Sequence, residues 1–173
     1  MRNFLKNIQQ RTNQKGVTLI ELLMYMALLT ILVTLISGIF ASVLDSQLEA
    51  EASSAVDQDG RYLMAKLTRD MQSASAITQP AAGQQGSTLQ ITVNSINYTY
   101  TSNGSGNLQL TNNNGTDNLN SFGTSVSNLN FQRIGSGGTN DTIRVSFTVT
   151  SRTKRSSGPQ NETRNFETTL GLQ

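Results

Sequence analysis

From Leu22 to Leu44 the chain carries no charged residue, a run of 23 positions dominated by Leu, Ile, Val and Met. At about 1.5 Å of rise per residue this makes roughly 34 Å of helix, enough to cross a bilayer core of about 30 Å. Beyond Asp45 the pattern changes. Leu48, Ala52, Ala55, Val56, Leu63, Leu67, Met71, Ala74 and Ile77 recur at intervals of three, four and seven, which describes one apolar stripe along a helix. Lys66, Arg69 and Asp70 lie mostly off that stripe, and Lys66 and Asp70 are spaced for an i,i+4 ion pair. Pro80 ends the pattern. The prediction is one helix from about Val17 to Ile77, with Gly60 as a soft spot. Within the apolar half, Ser37-Gly38 either loosens the helix or seats a helix–helix contact.

After residue 80 the period falls from 3.6 to two. Leu89, Ile91 and Val93 alternate with polar residues, as do Ile96, Tyr98 and Tyr100, with Asn94-Ser95 as a tight turn between them. Leu108 and Leu110 form a short run, a polar loop passes through residues 112–115, and Val126, Leu129 and Phe131 follow. Ile143, Val145, Phe147 and Val149 make the cleanest strand, after a glycine-rich hairpin loop at residues 135–138. A last strand surrounds Phe166, Thr168 and Leu170. These amount to about six strands, mostly antiparallel because the connections are short. One sheet face is expected to pack on the helical stripe. The fold class is therefore α+β, a long N-terminal helix against a mostly antiparallel β-sheet head.

Composition narrows the chemistry. The chain has no cysteine and no histidine, so it has no disulfide, no thiol nucleophile, no imidazole base and no typical zinc cluster. The acids of the head, Asp117, Asp141, Glu162 and Glu167, show no pairing suited to acid–base catalysis. Asp141 beside Asn140 and Thr142 supplies too few oxygen ligands for calcium. The expectation is a protein without catalysis or cofactor. The basic loop at Arg152, Lys154 and Arg155 is the one local patch suited to DNA or another anionic surface, and a solvated loop is the competing reading.

The segment before the apolar run carries Arg2, Lys6, Arg11 and Lys15 and no acid. It is mostly polar and holds no apolar run, so it differs from a secretory signal, whose apolar region precedes the cut. Its charge predicts a cytoplasmic N-terminus with the head across the membrane. Without those four residues the chain has nine basic against eleven acidic side chains, so its basic character is no argument for a nucleic-acid surface.

Lys15-Gly16 followed by Val17-Thr18-Leu19-Ile20-Glu21-Leu22-Leu23 resembles the type IV prepilin signature. That signature is shared by pilins, minor pilins and the pseudopilins of type II secretion and competence systems. The likeness covers about the first 45 residues. More weakly, Arg61 to Met71 is similar to the helix end of J-type and W-type minor pilins and pseudopilins. The resemblance implies a division into a leader (1–16), a transmembrane and filament-core helix (17–44), an amphipathic continuation (45–79) and a β-rich head (80–173).

It also implies that a prepilin peptidase cuts between Gly16 and Val17 and that the new amine of Val17 is N-methylated. The family usually has Phe at that position, and this chain has Val17. Glu21 is implied as the assembly contact. A charge at a membrane helix centre costs about 2.5–3.5 kcal/mol, and pairing with the neighbouring subunit's ammonium relieves both groups. The partners are then the peptidase, other pilin or pseudopilin subunits and an inner-membrane assembly platform. The implied function is that of a minor pilin or pseudopilin, a single-pass structural subunit of the inner membrane whose head is extracytoplasmic. The alternative is a tip or competence pilin whose head binds DNA or a surface through Arg152, Lys154 and Arg155.

Overall fold

A computed structural model describes residues 16–135, 141–153 and 161–172. The chain divides into two compact units, Met1–Val43 and Leu44–Gln173. One α-helix and nine β-strands make up the described residues: α1 Leu19–Gln72, β1 Ala74–Gln79, β2 Gln85–Gly86, β3 Leu89–Val93, β4 Ile96–Ser102, β5 Leu108–Asn112, β6 Gly115–Asn118, β7 Thr124–Ile134, β8 Thr142–Ser151 and β9 Thr163–Gly171.

In the first unit every described side chain of α1 is exposed, including Leu19 to Val43. Thr30, Thr34 and Ser37 turn their hydroxyls back to the carbonyls of Met26, Thr30 and Val33, each at 2.8 Å. These three hydroxyls are thereby satisfied within the helix itself. It stays α-helical through Ser37 and Gly38.

In the second unit α1 buries Ala52, Val56, Gly60, Leu63, Leu67 and Met71, which extends the predicted stripe through the soft spot. The helix ends at Gln72 rather than at Ile77. Ala74 and Ile77 are buried, but as residues of β1, paired antiparallel with β3. Two register shifts in this strand give burial at every third residue, so the strand imitates a helical period.

The strands form two antiparallel sheets where one was expected. The first has the order β1-β3-β4-β5-β6 and the second β2-β7-β8-β9. Asn94 and Ser95 both take positive φ, 49° and 67°, and close the β3–β4 hairpin as predicted. The polar loop at 112–115 proves to be a second two-residue hairpin, because Asn112 pairs with Gly115. In β7 the uneven spacing of Val126, Leu129 and Phe131 comes from a bulge: Asn128 has φ of 52° and the register jumps between Ser127 and Asn130. The extra residue returns Leu129 and Phe131 to the buried face. Ile134 faces Thr142, so the glycine-rich stretch connects two paired strands, although residues 136–140 lie outside those described.

One hydrophobic core joins Val56, Leu63, Leu67 and Met71 of the helix to residues of both sheets, among them Leu89, Ile91, Tyr100, Phe131, Phe147 and Val149. At Gly60 the ring of Phe166 on β9 occupies the space a β-carbon would need, and that ring stacks on Phe147 with centroids 5.5 Å apart. Gly60 is therefore a seat for a strand side chain rather than a soft spot.

Polar ties reinforce this packing. The Asp59 carboxylate accepts the Ser121 backbone N–H at 2.9 Å, the Ser121 hydroxyl at 2.7 Å and the Thr124 hydroxyl. Arg164 on β9 binds Asp57, and donates to Ser53 at 3.1 Å. Lys66 and Asp70 form the expected pair at 2.7 Å. Asp70 is not off the packed face, however. It is buried and accepts the Tyr100 hydroxyl. Burial, and then that hydrogen bond, hold the Tyr100 phenol far above its ordinary titration range.

Candidate processing and assembly site

The chemistry-bearing residues of the first unit cluster at the start of α1. Thr18 caps the helix: its hydroxyl accepts the Glu21 N–H at 3.3 Å, and its carbonyl accepts the Leu22 N–H at 3.1 Å. The Glu21 N–H, one of those that open a helix without a partner, is thus satisfied, and the Leu22 bond is the first of the helix's own ladder. Glu21 sits in the first turn, where the positive end of the helix favours a carboxylate. One turn later Tyr25 donates its hydroxyl to Glu21 Oε1 at 2.9 Å. Both side chains lie on the exposed surface of the apolar segment.

Gly16 and Val17 precede the helix and are exposed. Among the described residues, chain neighbours aside, no atom lies within 4 Å of where a Gly16 β-carbon would stand.

Thr18 and Tyr25 were not singled out from sequence. The Ser/Thr-x-x-Glu spacing of a helix start, Thr18 to Glu21, and the i,i+4 spacing of Glu21 to Tyr25 were the available signals. Here the carboxylate turns to the tyrosine, and the hydroxyl-to-backbone half of the capping box is formed.

In the second unit the expected anion-binding patch is not brought together by the described residues. The Arg152 guanidinium donates to the Ser105 carbonyl at 2.9 Å and to Asn107 Oδ1 at 3.1 Å, and lies 5.8 Å from the centre of the exposed Phe122 ring. It therefore braces the 103–107 turn. Lys154 and Arg155 lie outside the described residues. Asp141 pairs with Arg133 at 2.6 Å, and Arg133 also donates to the Ile77 and Pro80 carbonyls at 2.8 and 3.3 Å. Asp141 thus serves an internal junction between the sheets. Among the described residues no cluster of three or more His, Cys, Asp or Glu side chains gathers to hold a metal ion.

Residues 11–42 match the family described as the prokaryotic N-terminal methylation motif. The match runs from the basic leader through Gly16, Glu21 and Tyr25 into the apolar helix, which is long and apolar enough to cross a membrane. No curated protein and no solved structure matches the chain. The chain is type IV prepilin-like at its N-terminus, with a long apolar helix followed by antiparallel sheets.

Proposed function

We propose that this chain is a minor type IV pilin or pseudopilin, a non-catalytic structural subunit of a pilus or pseudopilus. A prepilin peptidase removes residues 1–16, the amine of Val17 is methylated, and the segment from residue 17 to residue 44 anchors the subunit in the inner membrane until it enters a filament. The observation that carries this reading is the match over residues 11–42, laid on an exposed helix whose 23 uncharged residues follow one carboxylate. The absence of cysteine and the similarity of the helix end to J-type and W-type proteins support the minor assignment. Glu21 is the assembly contact, and its partner is the ammonium of a neighbouring subunit or its own.

Glu21→Ala tests this. The variant keeps Gly16 and loses a charge from an apolar segment, so it is expected to be cut and to remain in the membrane. Its docking is expected to fail, because breaking one side of a buried ion pair costs about 3–5 kcal/mol, well over tenfold in incorporation. Glu21→Gln falls between, since an amide accepts a hydrogen bond but does not neutralise the ammonium. The readout is the amount of this protein in sheared filaments relative to membranes, with intact mass reporting cleavage and methylation. Equal ratios for wild type and Glu21→Ala refute the assembly role.

A further inference from the structure

We infer that Tyr25 is the intramolecular partner of Glu21 in the unassembled subunit, and that it gives up the carboxylate when the subunit docks. This rests on the assembly role proposed above for Glu21. Until docking occurs, that carboxylate lies at the edge of a long apolar segment, and the side-chain hydrogen bond it accepts among the described residues comes from Tyr25. Such a group stays in lipid only if something bonds it. Two groups of the chain address this residue: the Thr18 hydroxyl takes its backbone N–H, and the Tyr25 hydroxyl donates to its carboxylate at 2.9 Å. Of the other hydroxyls of the exposed segment, those of Thr30, Thr34 and Ser37 close back on carbonyls within the helix and are spent there. Tyr25 alone among them is directed at an ionisable side chain.

Geometry explains the choice of residue. Four residues along the helix the side chains are neighbours on one face, and a phenol spans the remaining gap while leaving an apolar ring against lipid. A lysine at the same position would bind the carboxylate more strongly and would compete with the incoming ammonium. A neutral donor holds it weakly enough to release it. The bond therefore stabilises the membrane pool of subunits and slightly opposes assembly, and the neighbour's full positive charge overcomes it.

Two measurements test this on the full-length chain. The first needs no filament. In detergent micelles the tyrosine Raman doublet, which reports whether the phenol donates a hydrogen bond, is compared for wild type, Glu21→Ala, Tyr25→Phe and the double variant. The Tyr25 contribution, isolated by subtracting the Tyr25→Phe spectrum, is expected to lose its donor signature in Glu21→Ala. An unchanged contribution overturns the inference whatever becomes of the assembly role.

The second is the filament-to-membrane ratio. Hydrogen bonds between side chains within membranes are worth about threefold on average, so Tyr25→Phe is expected to raise the ratio by about that factor. In the Glu21→Ala background, which offers the phenol no acceptor, the same substitution is expected to leave the residual ratio unchanged. A tyrosine that only anchors the helix at the lipid interface would act equally in both backgrounds, and that result overturns the inference. So does a ratio that is unchanged or lower in Tyr25→Phe. If Glu21→Ala assembles normally while the Raman difference is present, the assembly reading fails and the Tyr25–Glu21 bond stands.

Discussion

Replacing Gly60 by alanine separates two accounts of the helix that predict opposite signs. A glycine in an ordinary helix interior weakens it, and alanine restores about 1 kcal/mol. At Gly60, however, an added methyl group meets the tip of the Phe166 ring, overlapping three of its carbon atoms. That ring cannot simply tilt away, because it is stacked on the buried Phe147 with 19° between the planes. Arg164, two residues earlier on β9, is also tied to Asp57 on the same helix. Forcing a methyl into such a site costs about 1–3 kcal/mol, and the upper part of that range applies where neither neighbour is free to move. Net of the helix gain, Gly60→Ala is expected to destabilise the head by about 1–2 kcal/mol, lowering its thermal midpoint by roughly 3–10 °C. The assay is thermal or urea unfolding of a fragment beginning at Asp45, which omits the apolar segment. In a Phe166→Leu background the obstruction is gone, and Gly60→Ala is expected to become neutral or stabilising. A higher midpoint for Gly60→Ala in the otherwise unchanged head would refute the ring seat.

Other perturbations follow from the same geometry. Leu63→Ala and Leu67→Ala each remove a fully buried side chain and are expected to cost about 2–5 kcal/mol in urea unfolding; midpoints near that of the unchanged protein would show that the stripe is not core. Tyr100 titrates near pH 10 when unfolded and far higher when folded, so the folded state keeps the proton longer. Stability is therefore expected to be unaffected by this group below about pH 10 and to fall above it, by up to about 1.4 kcal/mol per pH unit. Tyr100→Phe should flatten that part of the profile, and an unchanged slope would contradict the buried Tyr100–Asp70 bond. Bulky replacements of Gly16 are expected to leave the precursor uncut while the head unfolds normally, since no described residue beyond its chain neighbours fills that space; normal maturation to Val17 would contradict the processing assignment.

What was legible in the chain depended on how local the physics is. The apolar run declares itself through missing charge, and the Gly16-to-Glu21 spacing is contained in six residues. Strands β3, β4, β5, β7, β8 and β9 show through alternation because one face of each meets the core. β6 has no buried residue and β2 is two residues long, so neither leaves a hydrophobic trace. β1 leaves a misleading one, since its register shifts convert a period of two into one of three, which a helix stripe absorbs without a break. The division into two sheets is a matter of which strand pairs with which, and periodicity carries no information on that.

The same limit applies to the acids of α1. Asp70 reads as the polar side of an amphipathic helix and Asp57 and Asp59 carry no local signal, because their partners Tyr100, Arg164 and Thr124 stand 30, 107 and 65 residues away. Each partner lies on a different strand, so the helix carboxylates select which strands come to rest on it. A hydrophobic stripe can slide against a sheet by a turn at modest cost, whereas Asp59 and Asp70, both buried, would lose their donors if they moved by a turn. The apolar stripe thus supplies the driving force for docking the helix, and the two buried acids set its register, while the exposed Asp57–Arg164 pair adds little. The glycine at position 60, between Asp59 and the Phe166 ring, is where both requirements meet.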